Sequence, residues 1–294
     1  VTGESLPSDE DFAAYWEKID AGLAELPARP VLERIPGRCT DDFTGYEVRL
    51  TSLGSYRIFG YLSIPSGDGP FPALLATPRY GSVNNPPHYN DRLRYVTFTV
   101  AHRGQRTADS PYAAAYPGLL TDGITDESTY IYRGIVADCL RAAEFLSGLP
   151  EVDQSRIAVA GDDLAVLTAA RRPVFAAVQL TGSLLYRIEE MRQASSDYPV
   201  EEFNDYLRTN PDDAEAVTRT LAFFDAERHA PAVRASVRAD IYSDKSLLLR
   251  LAEKIRADQY SLTHEGQTDN DAADRWLAYK FGLTELSRFD RLYA

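Results

Sequence analysis

Ile157-Ala158-Val159-Ala160-Gly161-Asp162-Asp163-Leu164-Ala165 is the stretch on which the reading of the chain turns. Its first four residues make a short apolar strand, Gly161 breaks it, and Leu164 to Arg171 continues as an apolar helix. A strand that turns sharply into a helix can hold one side chain out over the end of a sheet. The positions two before and two after that side chain must then be small. Gly161 and Ala165 meet the condition around Asp163, and the following helix amino terminus favours a negative charge there. The same residues allow a plainer reading, in which Asp162 or Asp163 only caps the helix.

Working outward, Ser8 to Leu26 reads as an amphipathic helix with Ser8 as N-cap and Phe12, Trp16, Ile19 and Leu23 at helical spacing. Two β-rich runs follow, Tyr46 to Leu50 and Tyr56 to Ile64, separated by a Ser-Leu-Gly-Ser turn. Short apolar strands then alternate with helices. The strands are Ala73 to Thr77, Tyr95 to Ala101, Ile157 to Ala160, Ala176 to Leu180, Val237 to Tyr242 and Gln259 to Thr263. The clearest helices are Thr129 to Ser147, Leu164 to Arg171 and Lys245 to Arg256. This alternation predicts an α/β fold, a mostly parallel central sheet covered by helices on both faces, with chemistry at the carboxyl ends of its strands. No internal repeat or low-complexity linker divides the chain. It reads as one domain over 1–294: an N-terminal helix and β-rich lead-in at 1–70, a core at 71–183, a cap-like helical insertion at about 184–232, and a C-terminal core at 233–294.

Apolar residues make 44% of the chain and charged residues 26%, an ordinary globular balance that argues against wholesale disorder. No run approaches the roughly 18 apolar residues of a membrane span, and no basic, apolar leader opens the sequence. A formal charge of −13 repels phosphate backbones, so neither nucleic acid nor membrane is an expected partner. The two cysteines, Cys39 and Cys139, show no CxxC spacing, and the four histidines, 88, 102, 229 and 264, are scattered. No metal and no cofactor is expected, and a reducing cytoplasm fits. His88 and His102 read as surface or packing residues. His229, in Arg-His-Ala-Pro, reads as a cation at a helix end.

The chain resembles carbohydrate esterase family seven, the acetyl xylan esterases and cephalosporin C deacetylases. The likeness runs from Tyr15-Trp16 through Gly60-Tyr61-Leu62 with Ile64-Pro65 to Arg103-Gly104-Gln105, which matches the family's RGQ signature. It continues through Tyr116-Pro117-Gly118, Tyr130-Ile131-Tyr132-Arg133 and Thr220 to Asp225, and ends at His264-Glu265-Gly266. The resemblance implies an α/β-hydrolase fold. Carried across position by position, the family's nucleophilic serine falls on Asp163, its triad histidine on His264 and its triad acid on Asp244, with Asp240 a weaker choice for the acid. The oxyanion tyrosine falls on Tyr80. Leu164, directly after the elbow residue, and Arg79, in the Tyr80 turn, join it as oxyanion or substrate-binding positions. Arg103 and Gln105 are implied to brace loops. The resemblance also implies a homo-oligomer.

The departures cluster around one presumed pocket: Pro78-Arg79-Tyr80 replaces a His-Gly-Tyr turn, and Gly-Asp-Asp-Leu-Ala replaces a Gly-Gly-Ser-Gln-Gly elbow. An aspartate has no hydroxyl proton for a histidine to take, so serine-type acyl transfer is not expected. Asp163 could instead attack a small molecule directly, with His264 activating water and Asp244 holding the imidazole. It could also act in acid–base catalysis of hydration, elimination or ring closure. The competing expectation is an inactive esterase relative that serves as a binding or scaffold protein. Arg79 could clamp a substrate carboxylate or neutralise Asp162 or Asp163.

Overall fold

The computed structural model describes residues 6–242, 247–263 and 269–284. Helix α1 (Asp9–Ala24) opens the chain. The Ser8 hydroxyl accepts the Asp11 N–H at 3.0 Å and the Asp11 carboxylate accepts the Ser8 N–H at 3.2 Å, so the orphan donors of the first turn are satisfied. The helix buries Trp16, Ile19 and Leu23 and leaves Phe12 half-buried. The strands are β1 (Val31–Arg34), β2 (Phe43–Ser52), β3 (Tyr56–Pro65) and β4 (Phe71–Ala76), then a one-turn helix α2 (Tyr89–Arg92) and β5 (Val96–Ala101). Helix α3 (Ile131–Ser147) leads to β6 (Val152–Gly161), α4 (Asp163–Arg171) and β7 (Ala177–Leu180).

Four short helices follow before the sheet resumes: α5 (Ile188–Ala194), α6 (Glu201–Thr209), α7 (Ala214–Leu221) and α8 (Ala226–His229). The chain closes with β8 (Ser236–Ile241), α9 (Leu247–Lys254), β9 (Asp258–Ser261) and α10 (Asn270–Phe281). The sheet runs β1-β2-β3-β5-β4-β6-β7-β8-β9, antiparallel from β1 to β5 and parallel from β5 onward. The edge strand β1 lies outside the sequence-based expectation. All four of its residues are exposed, so no apolar rhythm marks it.

The register sorts side chains to two unlike faces. Leu75, Phe98, Val159, Val178 and Val237 share one face and join the main core with α3 and α4. On the other face Leu74, Ala158 and Ala177 meet Tyr95 and Leu277 and Phe281 of α10 in a smaller cluster.

Candidate functional site

At the end of β6, Gly161 has a φ of +155°, and a Cβ there would lie 1.9 Å from the Thr77 hydroxyl. Only glycine fits. Ala165, fully buried one helical turn into α4, is the second small residue that the close approach needs. The strand–turn–helix geometry therefore follows from the sequence as read.

The side chain at its centre does not project into an open site. Asp162 is the N-cap, with φ −87° and ψ −148°, and its carboxylate accepts the Leu164 N–H at 3.0 Å. Asp163 is the first residue of α4. Neither aspartate adopts a positive φ, so the left-handed strain that would push a nucleophile out over the sheet is missing. Asp163 is 1% exposed. One carboxylate oxygen accepts the Ser183 hydroxyl at 3.1 Å and the other accepts both the Leu184 and the Leu185 N–H. An acceptor-rich side chain has here met a run of unpaired backbone donors, and burying it with them satisfies both. Burial pushes its pKa up to about 7, helped by the charge of Asp162 and opposed by the three donors. Burial raises Asp162 to about 6, against the Leu164 N–H and the charge of Arg79.

Tyr80 and Leu164 are committed in the same way. The Tyr80 hydroxyl is bound to the carboxylate of Glu202, which also accepts the Leu120 N–H at 2.8 Å. Glu202, on α6, is 4% exposed. Burial and the Glu202 carboxylate push the Tyr80 phenol well above its usual range. The Leu164 N–H is spent on Asp162. The loop carrying Tyr80 is held by Gln105, whose amide donates to Arg79 O at 3.0 Å and Gly81 O at 2.8 Å. Arg103 in turn is locked to buried Asp138 by bonds of 2.7, 2.9 and 3.0 Å. The RGQ residues brace; they do not face a substrate site.

His264 and Asp244 lie outside the described residues. Asp240 pairs with Arg238 at 2.7 Å, and burial raises its pKa. His229 corrects the expectation of a helix-end cation. It is buried between Phe12 and Trp16, each 5.0 Å away, and its Nε2 lies 3.0 Å from Phe223 O. Burial drives its pKa down to about 3, so it is a neutral packing residue. His102 is likewise buried, with its pKa pushed down to about 4. Arg79 is exposed, and its charge acts on Asp162 without a bond to Asp163.

Arg79 does border a cavity of about 440 Å³, which runs from Thr77, Gly161 and Thr181 at the strand ends down the α10 side of the sheet. None of Asp163, Tyr80 and Leu164 is among the described residues that line it. Glu202 and Ser183 are the site residues that sequence reasoning missed. Glu202 reads as an ordinary first-turn acid of a helix, and Ser183 carries no motif. Among the described residues no group of three or more His, Cys, Asp or Glu side chains is placed to hold a metal ion, and no helix is long and apolar enough to cross a membrane.

The sheet order, the parallel crossovers and the turn from β6 into α4 define an α/β-hydrolase fold. Residues 3–245 match the acetyl xylan esterase (AXE1) family, and the chain belongs to it. It is similar to an acetyl xylan esterase from Paenibacillus sp., with a TM-score of 0.79 at 20% identity over 95% of this chain and 96% of that one. Acetyl xylan esterase 1 from Thermoanaerobacterium sp. gives 0.79 at 19% identity over 94% and 95%. At these identities the likeness is one of fold. Acetyl esterase Axe7A of Xylanibacter ruminicola is 25% identical over 183 residues, which cover 56% of this chain and 41% of that relative's length.

Proposed function

We infer that this member of the acetyl xylan esterase family does not hydrolyse esters through its elbow, and that it works by binding a small molecule. The supporting observation is that the groups assigned to acyl chemistry are each bonded internally: Asp163 to the 183–185 loop, Tyr80 to Glu202, and the Leu164 N–H to Asp162. An oxyanion hole needs donors aimed at empty space where charge will develop, and both of these donors already face a carboxylate. A homo-oligomer and a reducing, cytoplasmic setting are part of this proposal; the free thiols of Cys39 and Cys139 are compatible with such a compartment.

A second reading keeps Asp163 reactive. Burial raises the pKa of both Asp162 and Asp163 toward neutrality, the range in which an acid–base group works, and this favours it. In it the Asp163 carboxylate attacks the carbon of an alkyl halide or epoxide, breaking the carbon–halogen or ring carbon–oxygen bond. Halide leaves, or the ring oxygen takes the electron pair and a proton. His264 then takes a proton from the water that hydrolyses the resulting enzyme ester, and Asp244 orients the imidazole.

Asp163→Asn separates the two. Its carbonyl can still accept both backbone N–H groups and its amide can still donate to Ser183, so the fold is kept while the nucleophile is removed. We expect no turnover of acetyl esters, epoxides or alkyl halides by either the native protein or this variant. Turnover by the native protein that Asp163→Asn abolishes, with an Asp163 adduct trapped in His264→Gln, would overturn the binding reading.

A further inference from the structure

We propose that the cavity on the α10 side of the sheet binds a small organic cation, an aliphatic ammonium held at the end walled by Asp240, Asp269 and Asp274. The inference deepens the binding reading and rests on it. A parallel sheet covered on both faces is normally apolar on both. Here the register places Ala76, Thr99, Ala160, Gln179 and Arg238 in one row of the α10 face, and Leu74, Thr97 and Ala158 in the next. All of these but Leu74 are small or polar, whereas the opposite face carries Leu75, Phe98, Val159, Val178 and Val237. Helix α2 is one turn long and covers little, and α10 covers only the part of the face under Leu277 and Phe281. The uncovered remainder is the cavity of about 440 Å³, ample for a small molecule.

The chemistry of its walls selects the ligand. No Phe, Tyr or Trp ring is among the described lining residues, so a stacked or largely apolar ligand gains little. Three carboxylates converge from β8 and α10, matched by two guanidinium partners: Arg238 on Asp240, and Arg94 on Asp274. Asp269 accepts the Tyr260 hydroxyl and the Ala272 N–H, and the nearby charges of Arg275 and Arg238 add to these bonds in favouring its ionised form. Burial raises the Asp240 pKa against the charge and hydrogen bond of Arg238, and the Asp269 charge adds a smaller push in the same direction as burial. The second oxygen of Asp274 is buried without a hydrogen-bond partner.

Independently of these acids, Thr97 on the cavity floor is 1% exposed, and its hydroxyl also has no partner. A buried polar group left unpaired forfeits hydrogen-bond energy that an occupant carrying donors would restore. Gln179 donates its amide to Ala273 O at 3.0 Å, which leaves its carbonyl oxygen as an acceptor. An ammonium, with three donors and a positive charge, meets acceptors on floor and wall and faces the carboxylates of Asp240, Asp269 and Asp274. The overall charge of −13 favours its approach.

The test is calorimetric titration of the native protein with 1,4-diaminobutane and with 1,4-butanediol, its neutral counterpart of similar length. The diamine should bind at least about tenfold more tightly, and added salt should weaken it. Asp240→Asn should cost about tenfold or more. Thr97→Val should weaken diamine binding while raising the melting temperature of the free protein, because it removes an unpaired buried hydroxyl. Should Asp240→Asn fail to fold, Gln179→Leu carries the same expectation of weakened binding. Equal binding of the diol, binding unmoved by these changes, or no diamine binding at millimolar concentration overturns the inference. Turnover that depends on Asp163 is scored separately, and it counts against the binding reading even where the diamine is bound as expected.

Discussion

The hydroxyl of Tyr80 is bound to the carboxylate of Glu202, a residue 122 positions further along the chain. Tyr80 sits in the loop that follows β4, where the family resemblance puts an oxyanion donor, and Glu202 sits on α6 between β7 and β8. The pairing turns a group suited to stabilising a transient negative charge into one that holds a permanent charge. Asp162 does the same to the Leu164 N–H, and the 183–185 loop does the converse to Asp163. Three positions that the family resemblance assigns to acyl transfer are thus engaged in internal bonds while the scaffold is kept.

Glu202→Ala should destabilise the fold by about 2–3 kcal/mol, because it leaves both the Leu120 N–H and the Tyr80 hydroxyl without their acceptor. Tyr80→Phe removes only one of the two bonds and should cost about 1 kcal/mol. Urea denaturation of both variants and the double mutant checks this. Additive losses would show that the pair is not coupled.

Asp163→Ser, the change that restores a family-like nucleophile, should not create an esterase. The oxyanion donors stay engaged with Glu202 and Asp162, and the elbow backbone lacks the strain that presents a nucleophile. A serine hydroxyl is also too short to reach both 184 and 185 amides, so a loss of about 2–4 kcal/mol is expected. Asp163→Asn should be near neutral. The pair is compared by denaturant midpoint and by acetyl ester hydrolysis; measurable hydrolysis by the serine variant would contradict the account of the site.

The same aspartates give the stability a direction with pH. Both carboxyls hold their protons more tightly when folded than at the ordinary value of 3.8, because burial disfavours their charged forms. The folded state therefore binds more protons between about pH 4 and 7. Their contribution is fully present below the unfolded pKa and is lost as pH rises through about 6 and about 7. Relative to Asp163→Asn, the native protein should lose at least about 1 kcal/mol between pH 5 and pH 8. Denaturant midpoints at those two pH values measure it, and an unchanged gap would mean that the pair is ionised throughout.

The fold was legible because its signals are local. The β6 strand, Gly161 and the apolar helix α4 stand side by side in the sequence, and β4, β5, β6 and β7 each carry an apolar run. The exposed edge strand β1 carries none. The site was legible only as far as residue types at family positions. What the side chains do depends on partners with no pattern: backbone amides at 184 and 185, and a carboxylate on a distant helix. The polar face under α10 was likewise hidden, since Thr97 and Thr99 alternate with Val96, Phe98 and Val100 as they would in any half-buried strand.

Gly161→Ala tests the link between that local signal and the fold. The added Cβ would fall 1.9 Å from the Thr77 hydroxyl, which is itself held against Ala160 O at 3.2 Å, and the φ of +155° is unfavourable to any L side chain. Steric overlap and backbone strain each carry a cost of about 1–3 kcal/mol. The single variant should therefore lose roughly 3–5 kcal/mol. Thr77→Ala removes the overlap and leaves the strain, so the double variant should recover about half of the loss, a non-additivity that thermal or urea unfolding can resolve. If Gly161→Ala were as stable as the native protein, the turn between β6 and α4 would not have the close approach that sets Asp162 and Asp163 in place.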